Sequence, residues 1–328
     1  MKPDPRSVSV APMLDWTDQH CRYFLRLLAP SARLFTEMIT TGALTHGDRE
    51  RFLRHHPAEQ PVAVQLGGSD PQALALCAEW SERAGFNEVN LNAGCPSDRV
   101  QSGRFGACLM LEPATVAASV AAMRETVDIP VTVKCRLGVD EQDSYAILHD
   151  FTARLAEAGV SRLYVHARKA WLKGLSPKQN REVPPLDYSR VYRLKQDFPG
   201  LEIHINGGVK TLEEVVTHLQ NVDGVMIGRE AYHNPWFLAR LEMRLSGVSQ
   251  MPTRHAVVYR LLPYIEQQLA EGVRLHAITR HILGLFQGCP GARAWRRTLS
   301  EQVHQPDAGI EIIGQALNCL PPEDECAG

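Results

Sequence analysis

A cysteine on a tight turn is the residue of this sequence whose surroundings point most directly to chemistry. Cys95 lies between Gly94 and Pro96, directly after the strand-like run 88–92, which ends in Asn92. Cysteines are most often small buried hydrophobic residues, but a core cysteine has no need of turn-forming neighbours. A thiol presented in the loop after a strand can act as a nucleophile or a general acid. We therefore take Cys95 as the candidate catalytic residue and Asn92 as a candidate substrate contact.

Two glycine-bearing turns in the second half of the sequence predict a phosphate site. Asn206-Gly207-Gly208 and Gly228-Arg229 each end a strand-like run. Turns of this kind supply bare backbone N–H groups, a helix N-terminus and, here, a guanidinium, which together suit a dianionic phosphate. The alternative is that these are ordinary glycines of connecting turns. Two such turns after successive runs favour a phosphorylated ligand.

Other candidate site residues suit a planar heterocycle. Lys134 and Gln65 could hydrogen-bond its edge, and a cation beside the N1 and O2 edge of a flavin would stabilise the negative charge that reduction places there. The apolar turn Ala11-Pro12-Met13 suits stacking beneath an aromatic ring. FMN satisfies all of these features. A sugar phosphate is the alternative ligand, but it does not call for Cys95 or for the apolar turn.

The elements that position these residues form a repeated pattern of strand and helix. Helix signals lie between the runs, as in Asp70-Pro71 and the capping box that begins at Thr211. Eight such units predict an α/β fold, a TIM (β/α)8 barrel. A doubly wound open sheet is the alternative, but the first run lacks a G-x-G-x-x-G turn. The runs cover residues 8–13, 34–38, 62–66, 88–92, 131–135, 162–166, 202–206 and 224–228.

A barrel of this kind must carry its active site at the carboxyl ends of its strands. Mostly polar or glycine residues end or follow the eight runs, although the run interiors are otherwise apolar. Each of them singly could be a surface loop residue, but their convergence predicts one site. They are Met13, Glu37 or Met38, Gln65, Asn92, Lys134, His166, Asn206 and Gly228.

Length and composition predict a main domain with an appendage. The chain has 328 residues, of which 22% are charged and 44% hydrophobic, and it has no apolar stretch that could span a bilayer. Eight cysteines without a C-x-x-C pair argue against a zinc ribbon and a disulfide framework. We expect a cytoplasmic monomer without a metal site. The expected domains are a barrel over 1–247 and a C-terminal all-α helical bundle over 248–328.

The net charge of −2 conceals two basic segments. Residues 168–181 hold five Lys and Arg residues and no acid, and residues 254–300 hold seven arginines against two glutamates, so each segment carries +5. A solvated helix or loop face is the alternative interpretation, but two basic segments beside a barrel site favour RNA, with Trp295 available for packing or base stacking. The candidate RNA contacts are Arg168, Arg181, Arg293, Arg296 and Arg297.

The ordered motifs resemble those of the tRNA-dihydrouridine synthases along the whole chain, with no departure at the catalytic positions. Further stretches, 98–101, 166–177 and 182–188, resemble the bacterial A subfamily, which acts on uridines 20 and 20a of the tRNA D-loop. The family motifs are Ala11-Pro12-Met13, Leu91-Asn92-Ala93-Gly94-Cys95-Pro96-Ser97, Lys134-Cys135-Arg136, Val165-His166-Ala167-Arg168, Ile205-Asn206-Gly207-Gly208 and Gly228-Arg229.

The resemblance implies an FMN enzyme that consumes NADPH and acts on tRNA. It implies that hydride passes from the flavin to C6 of uracil while Cys95 protonates C5. Two other classes stay open: a flavin barrel acting on a free pyrimidine, such as a dihydroorotate dehydrogenase, and a non-catalytic tRNA-binding or folding protein. The implied FMN contacts are Ala11, Pro12, Met13, Gln65, Lys134, His166, Asn206, Gly207, Gly208, Gly228 and Arg229.

Overall fold

The computed structural model describes residues 7–97, 100, 103–247, 252–305 and 308–322. Within these residues, eight parallel strands form one sheet in the order β1-β8-β7-β6-β5-β4-β3-β2. A parallel bridge between Ser9 and Arg33 joins β1 to the residue before β2, so that the sheet nearly closes into a barrel. The predicted (β/α)8 barrel is confirmed. The strands are β1 Val8–Val10, β2 Leu34–Thr40, β3 Val62–Gly67, β4 Glu88–Ala93, β5 Val131–Arg136, β6 Arg162–His166, β7 Glu202–Asn206 and β8 Gly224–Ile227.

Helices follow the strands, and the predicted caps are formed. Asp70 accepts the N–H of Ala73 at 2.7 Å, and Thr211 and Glu214 cap each other's backbone. The helices are α1 Gln19–Leu28, α2 Thr41–His46, α3 Arg49–Leu53, α4 Pro71–Arg83, α5 Pro113–Thr126, α6 Tyr145–Glu157, α7 Tyr188–Asp197, α8 Leu212–Leu219, α9 Arg229–His233, α10 Trp236–Ser246, α11 Arg254–Ala270, α12 Leu275–Thr279, α13 Ala292–Glu301 and α14 Glu311–Leu317. Within the described ranges, none of them is long and apolar enough to cross a membrane.

Strand register places the predicted site residues side by side at the carboxyl rim. Asn92 of β4 is the partner of Lys134 of β5, and His166 of β6 is the partner of Asn206 of β7. The first strand is shorter than predicted, because β1 ends at Val10 and Pro12 has no N–H to donate to a neighbouring strand. The turn that follows β1 therefore reaches the rim as irregular backbone.

The chain divides into two compact units. Among the described residues, the barrel unit comprises those within 7–14 and 33–228, and the helical unit comprises those within 15–32 and 229–322. Helices α1, α9 and α10 thus belong to the helical unit. The sequence places the domain boundary near residues 247–252, of which 248–251 lie outside the described residues, as do the acidic residues 323–325. The division at 247/248 stays a prediction.

One part of the helical unit is less regular than its apolar spacing predicts. The spacing of residues 278–286 indicates a helix, but α12 ends at Thr279 and residues 280–290 form successive turns. A Cβ on Gly284 would lie 2.3 Å from the carbonyl oxygen of His233, so this glycine packs directly against α9 backbone. The close approach and the turn residues Gly288 and Pro290 account for the interrupted helix.

Candidate active site

The Cys95 turn is held by the side chain of Asn92. Asn92 Oδ1 accepts the backbone N–H of Gly94 and of Cys95, each at 3.0 Å. The thiol is partly exposed, with its Sγ 3.6 Å from Ser97 Oγ. Gly106 lies against the turn at φ 76°, where a Cβ would meet the Cys95 carbonyl oxygen at 2.5 Å. The structure therefore presents the thiol on a fixed backbone, as a catalytic role for Cys95 requires.

Two cations, Lys134 and Arg136, interact electrostatically with Cys95. Burial, and next the neighbouring Arg136, lowers the pKa of Lys134 to about 8. Burial also lowers the pKa of Arg136 to about 10, and Arg181 acts in the same direction on both groups. Among the residues the structure describes, no carboxylate forms an ion pair with Lys134. A buried cation without a carboxylate partner among the described residues is suited to an anionic ligand or to charge that develops during a reaction.

His166 lies near the cations Lys134 and Arg136, and its imidazole is neutral. Burial and then Arg136 and Lys134 hold the pKa of its imidazole well below the usual range. Its ring also packs against the glycine turn after β7, since a Cβ on Gly207 would lie 2.7 Å from His166 Cδ2. Glycine is therefore required at position 207 for two reasons: its φ of 117° disfavours other residues, and a Cβ would collide with His166. The predicted proximity of the β6 and β7 ends is observed.

The turn after β8 leaves room for a ligand, next to the packed glycine turn after β7. The nearest atom to a Cβ built on Gly228 is Asn206 Nδ2 at 4.0 Å, so the space beside this glycine is open. Asn206 donates to the Met226 carbonyl oxygen at 2.8 Å, and Tyr188 donates to the Gly207 carbonyl oxygen at 2.7 Å. Open space beside fixed backbone, together with the Lys134 cation, fits a phosphate-bearing flavin. Arg229 begins α9 of the helical unit, and its contact with such a ligand stays a prediction.

Gln65 and the turn after β1 occupy the barrel interior. Gln65 donates to Asn90 Oδ1 at 2.8 Å and accepts from Asn92 Nδ2 at 2.8 Å. Each end of this amide retains capacity for one further hydrogen bond, so its flavin contact stays a prediction. Ala11 is buried and donates to the Ile227 carbonyl oxygen at 2.8 Å. Pro12 and Met13 are partly exposed, and Met13 packs against the central apolar cluster of the barrel.

Part of the basic loop 168–181 is used within the protein. Arg168 donates to the carbonyl oxygens of Glu182 and Pro184. Lys169 pairs with Asp143 at 3.4 Å and lies 4.0 Å from the centre of the Trp171 ring. These two charges support the loop itself. The exposed cations of the segment are Lys173, Lys178 and Arg181.

Two buried residues organise this loop, and the sequence did not reveal their roles. Arg136 donates to the carbonyl oxygens of Gly94 at 2.9 Å and of Asn180 at 2.8 Å. The fully buried side chain of Asn180 in turn accepts the N–H of Trp171 at 2.7 Å and donates to its carbonyl oxygen at 2.9 Å. The available signal for Arg136 was its two-residue spacing from Lys134 along β5.

The helical unit contains a cavity of about 720 Å³ lined by three arginines, Arg280, Arg293 and Arg296. Arg297 is exposed and is not part of this lining. Trp295 is fully buried and packs edge-on against Phe286 at 4.8 Å, so packing rather than base stacking is its role. Among the described residues, no group of three or more His, Cys, Asp and Glu side chains could hold a metal ion.

The fold and the thiol-bearing cationic rim define an enzyme of the (β/α)8-barrel class. Residues 9–319 match the dihydrouridine synthase (Dus) family, and the chain belongs to this family. It is 60% identical over 319 residues to the tRNA-dihydrouridine(20/20a) synthase of Vibrio vulnificus (strain CMCP6), covering 96% of this chain and 97% of that protein. It is 58% identical over 314 residues to the protein of the same name from Escherichia coli (strain K12), covering 95% of this chain and 91% of that protein.

A solved structure of more distant sequence shares the fold. It is a 2-naphthoyl-CoA reductase in complex with 2-naphthoyl-CoA, matched with a TM-score of 0.55 and 11% identity over 71% of this chain and 49% of that chain. At this identity the likeness concerns the fold alone.

Proposed function

We propose that this protein is a flavin-dependent tRNA-dihydrouridine synthase that reduces the C5=C6 bond of uridines 20 and 20a in the tRNA D-loop. The observation that carries the proposal is the fixed, partly exposed thiol of Cys95 beside Lys134 and Arg136, with no carboxylate paired to Lys134 among the described residues. Membership of the dihydrouridine synthase family and the names of relatives at 58–60% identity support the reaction and the substrate.

The cofactor is FMN and the reductant is NADPH. Lys134 would hold the electron-rich edge of the ring, and Gly207, Gly208 and Gly228 would accept the phosphate against backbone N–H groups. The remaining FMN contacts are expected from Ala11, Pro12, Met13, Gln65, His166, Asn206 and Arg229. Bound and reduced, FMN supplies the hydride that goes to C6 of uridine.

Cys95 completes the reduction as the general acid. Its Sγ–H bond breaks as the proton goes to C5 of uridine, and the thiolate that remains takes a proton from solvent. One NADPH supplies the two electrons, so that uridine, NADPH and one proton yield dihydrouridine and NADP⁺. The Lys134 and Arg136 cations stabilise the negative charge left on sulfur, while Asn92 keeps the thiol in place through the Gly94 and Cys95 N–H groups.

The RNA partner would be held by charge. Arg293 and Arg296 face the arginine-lined cavity of the helical unit, and Arg181 is an exposed cation of the basic loop. Phosphate contacts of this kind supply most sequence-independent RNA affinity. We expect the protein to act as a monomer in the cytoplasm, where tRNA is modified.

The direct test is the reaction itself. Protein loaded with FMN is mixed with NADPH and with tRNA from cells that lack the enzyme, and dihydrouridine at positions 20 and 20a is mapped by mass spectrometry. Orotate and free uridine serve as parallel substrates. Dihydrouridine in tRNA supports the proposal, whereas turnover of a free pyrimidine with unmodified tRNA would replace it.

A further inference from the structure

An unbroken chain of side-chain hydrogen bonds runs through the barrel interior to the Cys95 turn. Its links are Thr132 Oγ1 to Glu88 Oε1 at 2.7 Å, Asn90 Nδ2 to Thr132 Oγ1 at 2.9 Å, Gln65 Nε2 to Asn90 Oδ1 at 2.8 Å and Asn92 Nδ2 to Gln65 Oε1 at 2.8 Å. The last link is the pair of N–H groups that Asn92 Oδ1 accepts. All five side chains are buried.

The groups at both ends of this chain impose the same donor-to-acceptor direction on its hydrogen bonds. At the lower end Glu88, which pairs with Arg33 and Arg162 at 2.7 Å each, is a carboxylate that only accepts. At the upper end the Gly94 and Cys95 N–H groups only donate. Thr132 must therefore donate to Glu88, which leaves its oxygen to accept from Asn90. The three amides then align so that Asn92 presents oxygen, not nitrogen, to the Cys95 turn.

The donor-to-acceptor direction of these hydrogen bonds affects stability, because the five side chains are buried. Each amide can rotate by 180° only if its neighbours rotate with it, and a fully rotated chain would aim the Asn92 amide N–H groups at the N–H groups of Gly94 and Cys95. A donor left facing a donor away from water destabilises the structure, and links of one network reinforce each other. The Glu88 carboxylate therefore contributes to the position of a turn that it does not touch.

We propose that Thr132 and Asn90 are positioning residues for the catalytic thiol, acting through Gln65 and Asn92 to fix the Cys95 turn. The inference rests on the role of Cys95 in the proposed function. Neither residue was singled out by the sequence, and neither belongs to the set expected to touch cofactor or substrate. Both act at a distance, by setting the orientation of the amides between them and the turn.

The test uses a pair of substitutions at one position. Thr132→Val keeps the shape of the side chain and removes its hydroxyl, whereas Thr132→Ser keeps the hydroxyl and is the matched control. Hydrogen–deuterium exchange of the full-length protein is followed in the peptide that contains residues 91–97. We expect exchange in Thr132→Val to be about tenfold faster in this peptide, with little change in a peptide from β7, and wild-type exchange in Thr132→Ser.

Thiol alkylation provides a second readout that does not need enzyme activity. Iodoacetamide labelling of Cys95 is measured by peptide mass spectrometry, with the exposed Cys319 as the internal reference. A loosened turn should react several-fold faster in Thr132→Val, while labelling of Cys319 is unchanged. Equal exchange and equal labelling in the Val and Ser variants would overturn the proposal, as would faster exchange spread evenly over the barrel.

Kinetics then separate positioning from binding. In Thr132→Val we expect kcat for uridine reduction to fall about tenfold while KM for tRNA and FMN content stay within twofold. Asn90→Leu interrupts the same chain one link higher and should reproduce the effect if Thr132→Val does not fold. A normal kcat in either folded variant would refute the positioning role of Thr132 and Asn90. If the Cys95→Ala enzyme proved active, the assignment of Cys95 as the acid would fail, while the exchange and alkylation results on the turn would still stand.

Discussion

Arg136 Nε donates to the Gly94 carbonyl oxygen at 2.9 Å, and this bond ties the end of β5 to the residue directly before Cys95. The same guanidinium donates to the Asn180 carbonyl oxygen at 2.8 Å. The turn that carries the thiol is thus held on its N–H side by Asn92 and on its carbonyl side by Arg136. Through its bond to Asn180, the buried Arg136 also connects this turn to the basic loop.

Replacing this guanidinium should impair catalysis more than cofactor binding. Arg136→Lys keeps a charge but loses the planar fork that serves two carbonyl groups, so we expect dihydrouridine formation to fall about tenfold or more. FMN content should be nearly unchanged. The measurement is single-turnover reduction of tRNA by pre-reduced enzyme. Arg154→Lys, on an exposed face of α6, is the control, and a wild-type rate in Arg136→Lys would show that the two carbonyl contacts are dispensable.

Removing the thiol should separate the two halves of the reaction. In Cys95→Ala, NADPH should still bleach the flavin absorbance, because that step needs no proton donor to uracil. Dihydrouridine formation should fall by about 10² or more, the usual scale for a lost general acid. Stopped-flow absorbance and mass spectrometry of tRNA measure the two steps. Cys319→Ala is the matched control, and near-normal product from Cys95→Ala would end the assignment of this residue as the acid.

Flavin affinity should depend on pH through Lys134. The pKa of this amine in the flavin-free protein is about 8, below its usual range because of burial and of Arg136. The charged amine binds the electron-rich flavin edge, so affinity should be constant below about pH 8 and should decline as the pH rises through that value. Fluorescence titration of flavin-free protein with FMN measures it. Lys134→Met should bind more weakly with a flat profile, and an equally steep decline in that variant would assign the pH dependence to another group.

Arg229 should contribute to the retention of FMN. Its guanidinium is expected to make a charge-assisted contact with the phosphate, and Arg229→Gln should weaken binding by about 1 to 3 kcal/mol, or roughly 5- to 150-fold. Comparison of FMN with riboflavin isolates the phosphate, because riboflavin affinity should change little. If both ligands lose affinity equally, the arginine acts on the protein and not on the phosphate.

The arginines of α13 should bind tRNA through its phosphates. Replacement of Arg293, Arg296 and Arg297 by alanine should raise KM for tRNA and flatten the dependence of log affinity on log salt by roughly 0.7 to 0.9 for each phosphate that is no longer neutralised. FMN content and NADPH oxidation with an artificial acceptor should stay intact. A control with the same loss of charge replaces the exposed barrel arginines Arg83, Arg154 and Arg193. Equal tRNA affinity and salt slope in the two triple variants would identify the α13 arginines as a solvated helix face.

The sequence by itself determined the barrel and the location of its site. Strand runs, caps and turn residues are local signals, because backbone conformation and side-chain alternation depend on neighbours only a few positions apart. The β4 run, with Cys95 on the turn after it, was therefore predictable without any knowledge of contacts. Parallel strands then bring their carboxyl ends to one rim, which is why Asn92, Lys134, His166 and Asn206 could be grouped before the structure was known.

The tertiary structure decided what each polar group does there. Arg136 and Asn180 are 44 residues apart and meet only in the folded protein. The cation Arg168 is occupied by the backbone of its own loop, and Lys169 pairs with Asp143 of the segment after β5. Trp295 proved to be a core residue, and a glycine at a close backbone approach interrupted the helix predicted for 278–286. The direction of the chain from Glu88 to Cys95 likewise depends on donors and acceptors from three different strands and the Cys95 turn. Hydrogen-bond partners and burial are properties of long-range packing, so no pattern of neighbouring residues encodes them locally.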